Sequence, residues 1–197
     1  ESGAAYTVSA GVRIPLDWTP EAAHLIVNTD AGDTEWEADE TDNARAATLA
    51  IKPPAPDLLI ANAPEGDAGF TGYDTFADDG AAQAKSQGVK AGTAASYLVR
   101  VRNLTDTPES YTLSGPAGNA DWGIAYADPA NGDIDITPQI VGAGWNIGDL
   151  APGESRTIVL RVTAGLTLGL RAEKTLVVDA RAAYAYRRHA VEALTVV

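Results

Sequence analysis

Leu150-Ala151-Pro152-Gly153-Glu154-Ser155-Arg156-Thr157-Ile158-Val159-Leu160-Arg161-Val162 carries both signals that decide the fold. Pro152-Gly153 makes a tight turn, and Glu154 or Ser155 satisfies its amides. From there Ile158, Leu160 and Val162 alternate with Thr157, Val159 and Arg161, the period of a strand with one buried face. The same pattern recurs in both directions. Upstream, Tyr97, Val99 and Val101 face one way while Arg100 and Arg102 face the other. Leu58 with Ile60, Tyr111 with Leu113, and Ile124 with Tyr126 mark further strands. Downstream, Leu176 and Val178 alternate with Val177 and Asp179, and a last strand runs from Val191 to Val197. Ala91-Gly92, Gly115-Pro116, Asn131-Gly132 and Gly165 are turn signals between these runs. No window sustains a helical period, and only Ala81 to Lys85 reads as a single helical turn. Strands and turns at this spacing predict an all-β, antiparallel immunoglobulin-like sandwich.

A second segment precedes it. Lys52-Pro53-Pro54-Ala55-Pro56 is a stiff, extended connector that neither helix nor sheet absorbs. It divides the chain into a partial sandwich module at 1–52, a linker at 53–56 and a complete module at 57–197. In the first part Val12, Ile14, Leu16 and Trp18 alternate with Arg13, Pro15 and Asp17. Leu25 and Val27 follow, then Ala47, Leu49 and Ile51, which makes three strands.

Composition narrows the function classes. The 197 residues are 45% hydrophobic, enough for a core. The 27 acids outnumber the 14 bases, which makes nucleic acid and anionic membrane poor partners. Without cysteine there is no disulfide, thiolate nucleophile or Cys-ligated metal. No apolar run approaches the roughly 18 residues of a membrane span, so no membrane insertion is expected. The absence of methionine points to a processed product or an excised segment. The acidic, Gly-, Ala- and Thr-rich composition suits an extracellular or surface-displayed bacterial protein.

Two stretches carry a resemblance. His24-Leu25-Ile26-Val27-Asn28-Thr29-Asp30, the acidic run Glu35 to Asn43, and the alternating strand to Ile51 together resemble the end of a cell-adhesion-related domain of bacteria (CARDB). That family closes with a strand, an aspartate, an acidic Glu-x-x-Glu-x-Asn loop and a final strand. Asp30, Glu37, Glu40 and Asn43 match the loop, and Asp42 stands where the family more often has a second asparagine. Pro56-Asp57-Leu58, Ser96 to Asn103 and Leu150 to Ser155 resemble the Ig-like modules of long bacterial surface proteins and of chains with glycosidase catalytic domains. A full adhesion-type module begins with its own Asp-Leu strand, and only its last half is present. Either residues 1–52 are a fragment of a longer module, or the missing strands come from another subunit, as in donor-strand complementation. Three strands bury little and leave open edges. Completion by a neighbour is a head-to-tail contact, and one that does not close builds a filament.

The acidic loop is the strongest chemical candidate. Asp30, Asp33, Glu35, Glu37, Asp39, Glu40 and Asp42 crowd together with no base among them. Such carboxylates repel unless solvated, paired or bridged by a cation. Asp30, Asp33, Glu37, Glu40 and Asp42 are the candidate ligands for Ca²⁺, which takes several oxygens from such loops. The competing reading is a solvated hairpin, and the spacing is not that of an EF-hand. Asp128 to Asp135 reads as a hairpin turn, and Asp74 to Asp79 as a loop after Phe70 and Tyr73. Catalysis lacks parts: there is no nucleophile elbow, no phosphate-binding loop, and only two histidines, His24 and His189. The chain is therefore expected not to be an enzyme. Trp18, Trp36, Trp122 and Trp145 are tested for carbohydrate stacking, with core packing as the competing reading. Asn103-Leu104-Thr105 is a formal glycosylation sequon, and Arg187-Arg188-His189 reads as an ordinary loop.

These features together predict a non-enzymatic extracellular structural protein that assembles with its own copies into a surface filament or layer. The alternative is a spacer or carbohydrate-binding accessory module of a large adhesin or secreted glycosidase.

Overall fold

The computed structural model describes residues 9, 11, 23–28, 44–49, 56–76, 79–182 and 188–197. The chain divides into two compact units, Glu1–Pro53 and Pro54–Val197.

In the first unit, β1 (Ala23–Asn28) and β2 (Ala44–Leu49) pair antiparallel, from Ala23↔Leu49 to Asn28↔Ala44. Residues 24–28 and 44–48 are all exposed. Successive strand residues point to opposite faces, so both faces of this ribbon are open. The strand expected at Val12 to Trp18 lies outside the described residues, as does Ile51.

The second unit is a sandwich of two sheets. Its strands are β3 (Pro56–Asn62), β4 (Ala84–Gly88), β5 (Ala94–Asn103), β6 (Glu109–Ser114), β7 (Trp122–Asp128), β8 (Ile134–Asp135), β9 (Trp145–Leu150), β10 (Ser155–Ala164), β11 (Glu173–Ala182) and β12 (Arg188–Val196). One sheet has the order β3-β5-β10-β7-β8 and the other β4-β12-β11-β6-β9. Within them, β3-β5-β10-β7 is the A-B-E-D order and β6-β11-β12 the C-F-G order of an immunoglobulin-like sandwich. The opening strand is shared between the sheets: β3 runs antiparallel to β5, and β4 runs parallel to β12.

The predicted alternation fills the core. Leu58 and Ile60, Tyr97, Val99 and Val101, and Ile158, Leu160 and Val162 meet Tyr111, Leu113, Leu176, Val178, Val191 and Ala193 from the opposite sheet. Removing this apolar area from water is the main drive to close the sandwich. β3 and β12 begin at the same end of the sandwich. Pro56 pairs with Asn103 there, and Ala182, just before β12, pairs with Tyr111, whose hydroxyl reaches Asn103. Val196 lies at the other end, opposite Glu173.

Several local readings change. Ala81 to Lys85 is not a helical turn: a turn at 81–82 leads into β4. The Gln83 side-chain amide donates to the Ala190 carbonyl (2.9 Å) and the Glu192 amide donates to the Gln83 carbonyl (3.1 Å). Docking onto β12 outweighs the weak helix propensity of one isolated turn. Pro56, read as the last linker residue, is the first residue of β3, a strand position that needs no donated N–H. Asn131-Gly132 is not a two-residue hairpin. Pro129–Asn131 forms a 3-10 turn that Gly132 ends in the left-handed region (φ 76). A short helix, α1 (Thr137–Val141), also appears, and only its Ile140 is buried.

Candidate functional site

The stretch that identifies the fold closes one end of the sandwich as a knot around Asn103. The Asn103 amide donates to the Glu154 carbonyl and the Gly153 amide to the Asn103 carbonyl, each at 2.9 Å. Glu154 returns its carboxylate to the Ala151 amide at 2.8 Å. Asn103 is fully buried. Its Nδ2 donates to the carbonyls of Thr107 (2.8 Å) and Leu150 (2.9 Å). Its Oδ1 accepts from the Thr105 amide, the Thr105 hydroxyl and the Tyr111 hydroxyl. Both side-chain donors are thus used, which is all an amide has. The formal sequon is therefore closed in the folded chain, and Asn103 is a structural corner.

A more distinctive site lies on the outer face of the first sheet. Leu59 and Ala61 point away from the core, yet both are fully buried. They are covered by a strap, residues 63–76, whose Phe70 completes a small apolar cluster with Leu98 packed against it. The strap is fastened at several points. Arg100 lies over the Phe70 ring with Cζ 4.0 Å from its centroid, and its Nη2 meets Asp67 at 2.6 Å. Lys85 meets Glu65 at 2.9 Å. Thr71 forms a two-hydrogen-bond bridge with Ile60 on the free edge of β3, at 2.9 and 3.2 Å. Gly72 (φ 98) passes so close to Gln83 that an added Cβ would stand 2.2 Å from its Oε1.

Asp57 sits under the far end of the strap and is fully buried. It lies directly opposite Arg102 in the β3–β5 register and accepts from Arg102 Nη1 at 3.1 Å. Arg102 also faces the Tyr73 ring at 5.3 Å. Burial pushes the Asp57 carboxyl up to about 6; Arg102 opposes this, the charge of Asp74 adds to it, and the Asp74 backbone amide opposes it by hydrogen bonding. Asp74 itself holds a left-handed backbone (φ 52), uncommon outside glycine. Cation–π contacts and a desolvated ion pair thus meet at one end of the strap. The site offers a titratable carboxylate near neutral pH, and while the strap is closed no substrate reaches it.

The candidate calcium ligands Asp30, Asp33, Glu37, Glu40 and Asp42 lie outside the described residues, as do Trp18 and Trp36. The ribbon does bring the two ends of their loop together, because Asn28 pairs with Ala44. Among the described residues no group of three or more His, Asp or Glu side chains is placed to hold a metal. Asp128 is almost wholly buried and serves the fold. It pairs with Arg156 at 2.5 Å and accepts from Asn131 (2.7 Å) and the Ala130 amide (3.2 Å). Asp135 accepts from the Thr137 amide (2.9 Å), and hydrogen bonding to Thr137 holds its carboxyl below the usual range. Trp122 is in the core and Trp145 packs against it. His189 stands at the start of the last strand, β12, and is buried there with Phe76 edge-on at 4.9 Å. Sequence reasoning missed the strap. Its signals were present: two outward arginines on one strand, and aromatic Phe70 and Tyr73 in a glycine-rich loop.

No family model matches the chain, and no curated protein matches it. Solved structures that align with this chain include the ASH/PapD-like domain 7 of human CEP192, at 10% identity and TM-score 0.36 over 82% of this chain and 94% of that one. A FixG-related protein from Vibrio parahaemolyticus aligns at 17% identity and TM-score 0.35, over 52% of this chain and 77% of that one. A family 123 glycoside hydrolase from Clostridium perfringens aligns at 10% identity and TM-score 0.37, over 58% of this chain but only 23% of its own. The fold assignment stands on the strand order itself, and no activity is carried over from these chains.

Proposed function

We propose that this chain is a non-enzymatic structural protein of the bacterial cell surface, which joins copies of itself through its N-terminal unit into a filament or layer. One observation carries the reading: the β1–β2 ribbon exposes apolar side chains on both faces. Ile26 is 67% exposed on one face, and Leu25 (40%) and Val27 (52%) on the other. A two-stranded ribbon is at best marginally stable alone, and its open edges invite another strand. The resemblance of residues 24–51 to the end of an adhesion-type module supports the same reading, because such a module needs more strands than the two among the described residues of this unit.

Sizing chromatography with negative-stain imaging tests it. The full chain is expected to elute as oligomers or filaments, and Ile26→Asp is expected to shift it to monomer. Discrete monomers of the unchanged chain would overturn the reading. They would favour an accessory module instead, for which the exposed rings of Tyr73 (52%) and Phe76 (46%) offer stacking faces to a sugar.

Calcium belongs to the same proposal, with Asp30, Asp33, Glu37, Glu40 and Asp42 as ligands. A cation that binds only the folded loop raises the melting temperature of its unit. Chelator is expected to lower that temperature and added Ca²⁺ to restore it; an unchanged melting curve removes calcium from the account.

A further inference from the structure

The strap carries an inference that does not depend on how copies assemble. Asp57 alternates with the core residues Leu58 and Ile60, so it lies on the sheet face that the strap covers. Its Oδ2 is engaged by Arg102, and the Asp74 backbone amide also favours the charged form, yet burial outweighs both. A carboxylate held dry is costly when charged and much less so when protonated. The same strap supplies Thr71, which occupies the outward backbone groups of Ile60 on the edge of β3. We propose that the strap is a proton-governed guard of the β3 edge: protonation of Asp57 favours the closed strap, and its ionisation favours an opened one.

The charges around Asp57 support this direction. On β5, Arg102 lies opposite and Arg100 two residues along the same face, where Asp67 and the Phe70 ring engage it. On the strap, the Asp74 carboxylate adds repulsion, while Glu65 is taken up by Lys85. Beyond β5, β10 presents Ser155 and Thr157 opposite Arg102 and Arg100, with Arg161 further along opposite Ser96. β11 and β12 approach β3 from the opposite sheet, and β12 reaches the strap itself, where buried His189 meets the Phe76 ring edge-on at 4.9 Å. One cation therefore faces a carboxylate that is dry and has a second acid nearby.

The sign follows from linkage. In the closed strap Asp57 titrates near 6, whereas water reaching it in an open strap returns it toward the ordinary 3.8. The closed form binds the proton more tightly. Its advantage is full below the ordinary value and is lost as pH rises through about 6. A difference of about two units allows at most about a 100-fold change in the closed-to-open ratio. Opening bares Leu59 and Ala61 and leaves the Ile60 amide and carbonyl free to pair with another strand.

Hydrogen exchange on the full chain tests this, with the Thr71 and Ile60 amides as reporters and core amides such as Leu160 as controls. After correction for intrinsic rates, Thr71 protection is expected to be about 10-fold higher at pH 5 than at pH 7.5. The Leu160 amide should change far less, and Asp57→Asn should abolish the difference. Equal Thr71 protection at both pH values, or an undiminished difference in Asp57→Asn, would overturn the proposal. Arg102→Gln provides a second arm should Asp57→Asn fail to fold. Loss of the guanidinium removes the charge that holds Asp57 down, so the midpoint of Thr71 protection must move upward; a midpoint that stays in place refutes the gate.

Discussion

Asn103 shows how much of the fold rests on one side chain. It is fully buried, and its side chain donates two hydrogen bonds and accepts three. Truncation to alanine strands the Leu150 carbonyl and the Tyr111 hydroxyl inside the protein, while the exposed Thr107 carbonyl keeps the Thr105 hydroxyl. Asn103→Ala is expected to cost about 2–4 kcal/mol of unfolding free energy, and Tyr111→Phe about 1 kcal/mol, read by denaturant titration. The smaller cost follows because the Thr105 groups still satisfy Oδ1. Burial, with a smaller push from Glu109, raises the Tyr111 phenol to about 12, so the hydroxyl remains a donor across the working pH range. The triplet around Asn103 was legible only as a modification motif. Its structural role was hidden because four of its five partners lie on Thr107, Leu150, Tyr111 and the hydroxyl of Thr105, whose positions depend on how the chain turns. Asp57 was equally silent: a carboxylate in Pro-Asp-Leu reads as a strand edge until the register sets it opposite Arg102.

At the scale of elements, turns and alternation were the readable part. The Pro152-Gly153 turn and the strands on either side follow from local chemistry, because Gly153 supplies the left-handed conformation (φ 77) and the period of two sorts core from solvent. The strap was not readable. Its residues have no period, and it is held by contacts with strands far along the chain. The two glycines separate these cases. An added Cβ at Gly153 meets nothing within 4 Å, so Gly153→Ala carries only backbone strain, about 1 kcal/mol. Gly72→Ala carries strain and a collision with Gln83, whose side chain is tied to Ala190. It is expected to cost about twice as much or more, and to loosen Thr71 in hydrogen exchange where Gly153→Ala does not. Equal costs would mean that the strap gives way without resistance. The short β4 also escaped the sequence, since its polar residues Lys85, Ser86 and Gln87 pair only because β12 is there to receive them.

For the whole molecule, the division at the prolines sets what each part contributes. The second unit has a continuous core drawn from both sheets and the strand order of a complete sandwich. The ribbon of the first unit has neither buried face nor covered edge among its described residues. Association is therefore expected to reside in the first unit: a chain of 54–197 should run as a monomer on the column where the full chain runs as an assembly. The order of strands in the sandwich was open to the sequence only as a class, because alternation names the faces of a strand but not its neighbours.

Pro56 and Val196 stand at opposite ends of the sandwich, and β4 lies parallel to β12. Tension applied between those two points runs along the strands. The ladder between β4 and β12 is then loaded in shear, with its hydrogen bonds strained together rather than peeled one by one. Resistance to such pulling is set by the rate of unfolding and not by the equilibrium stability. A module strung in series in this way holds its length under a steady load, even with no covalent staple anywhere in the chain.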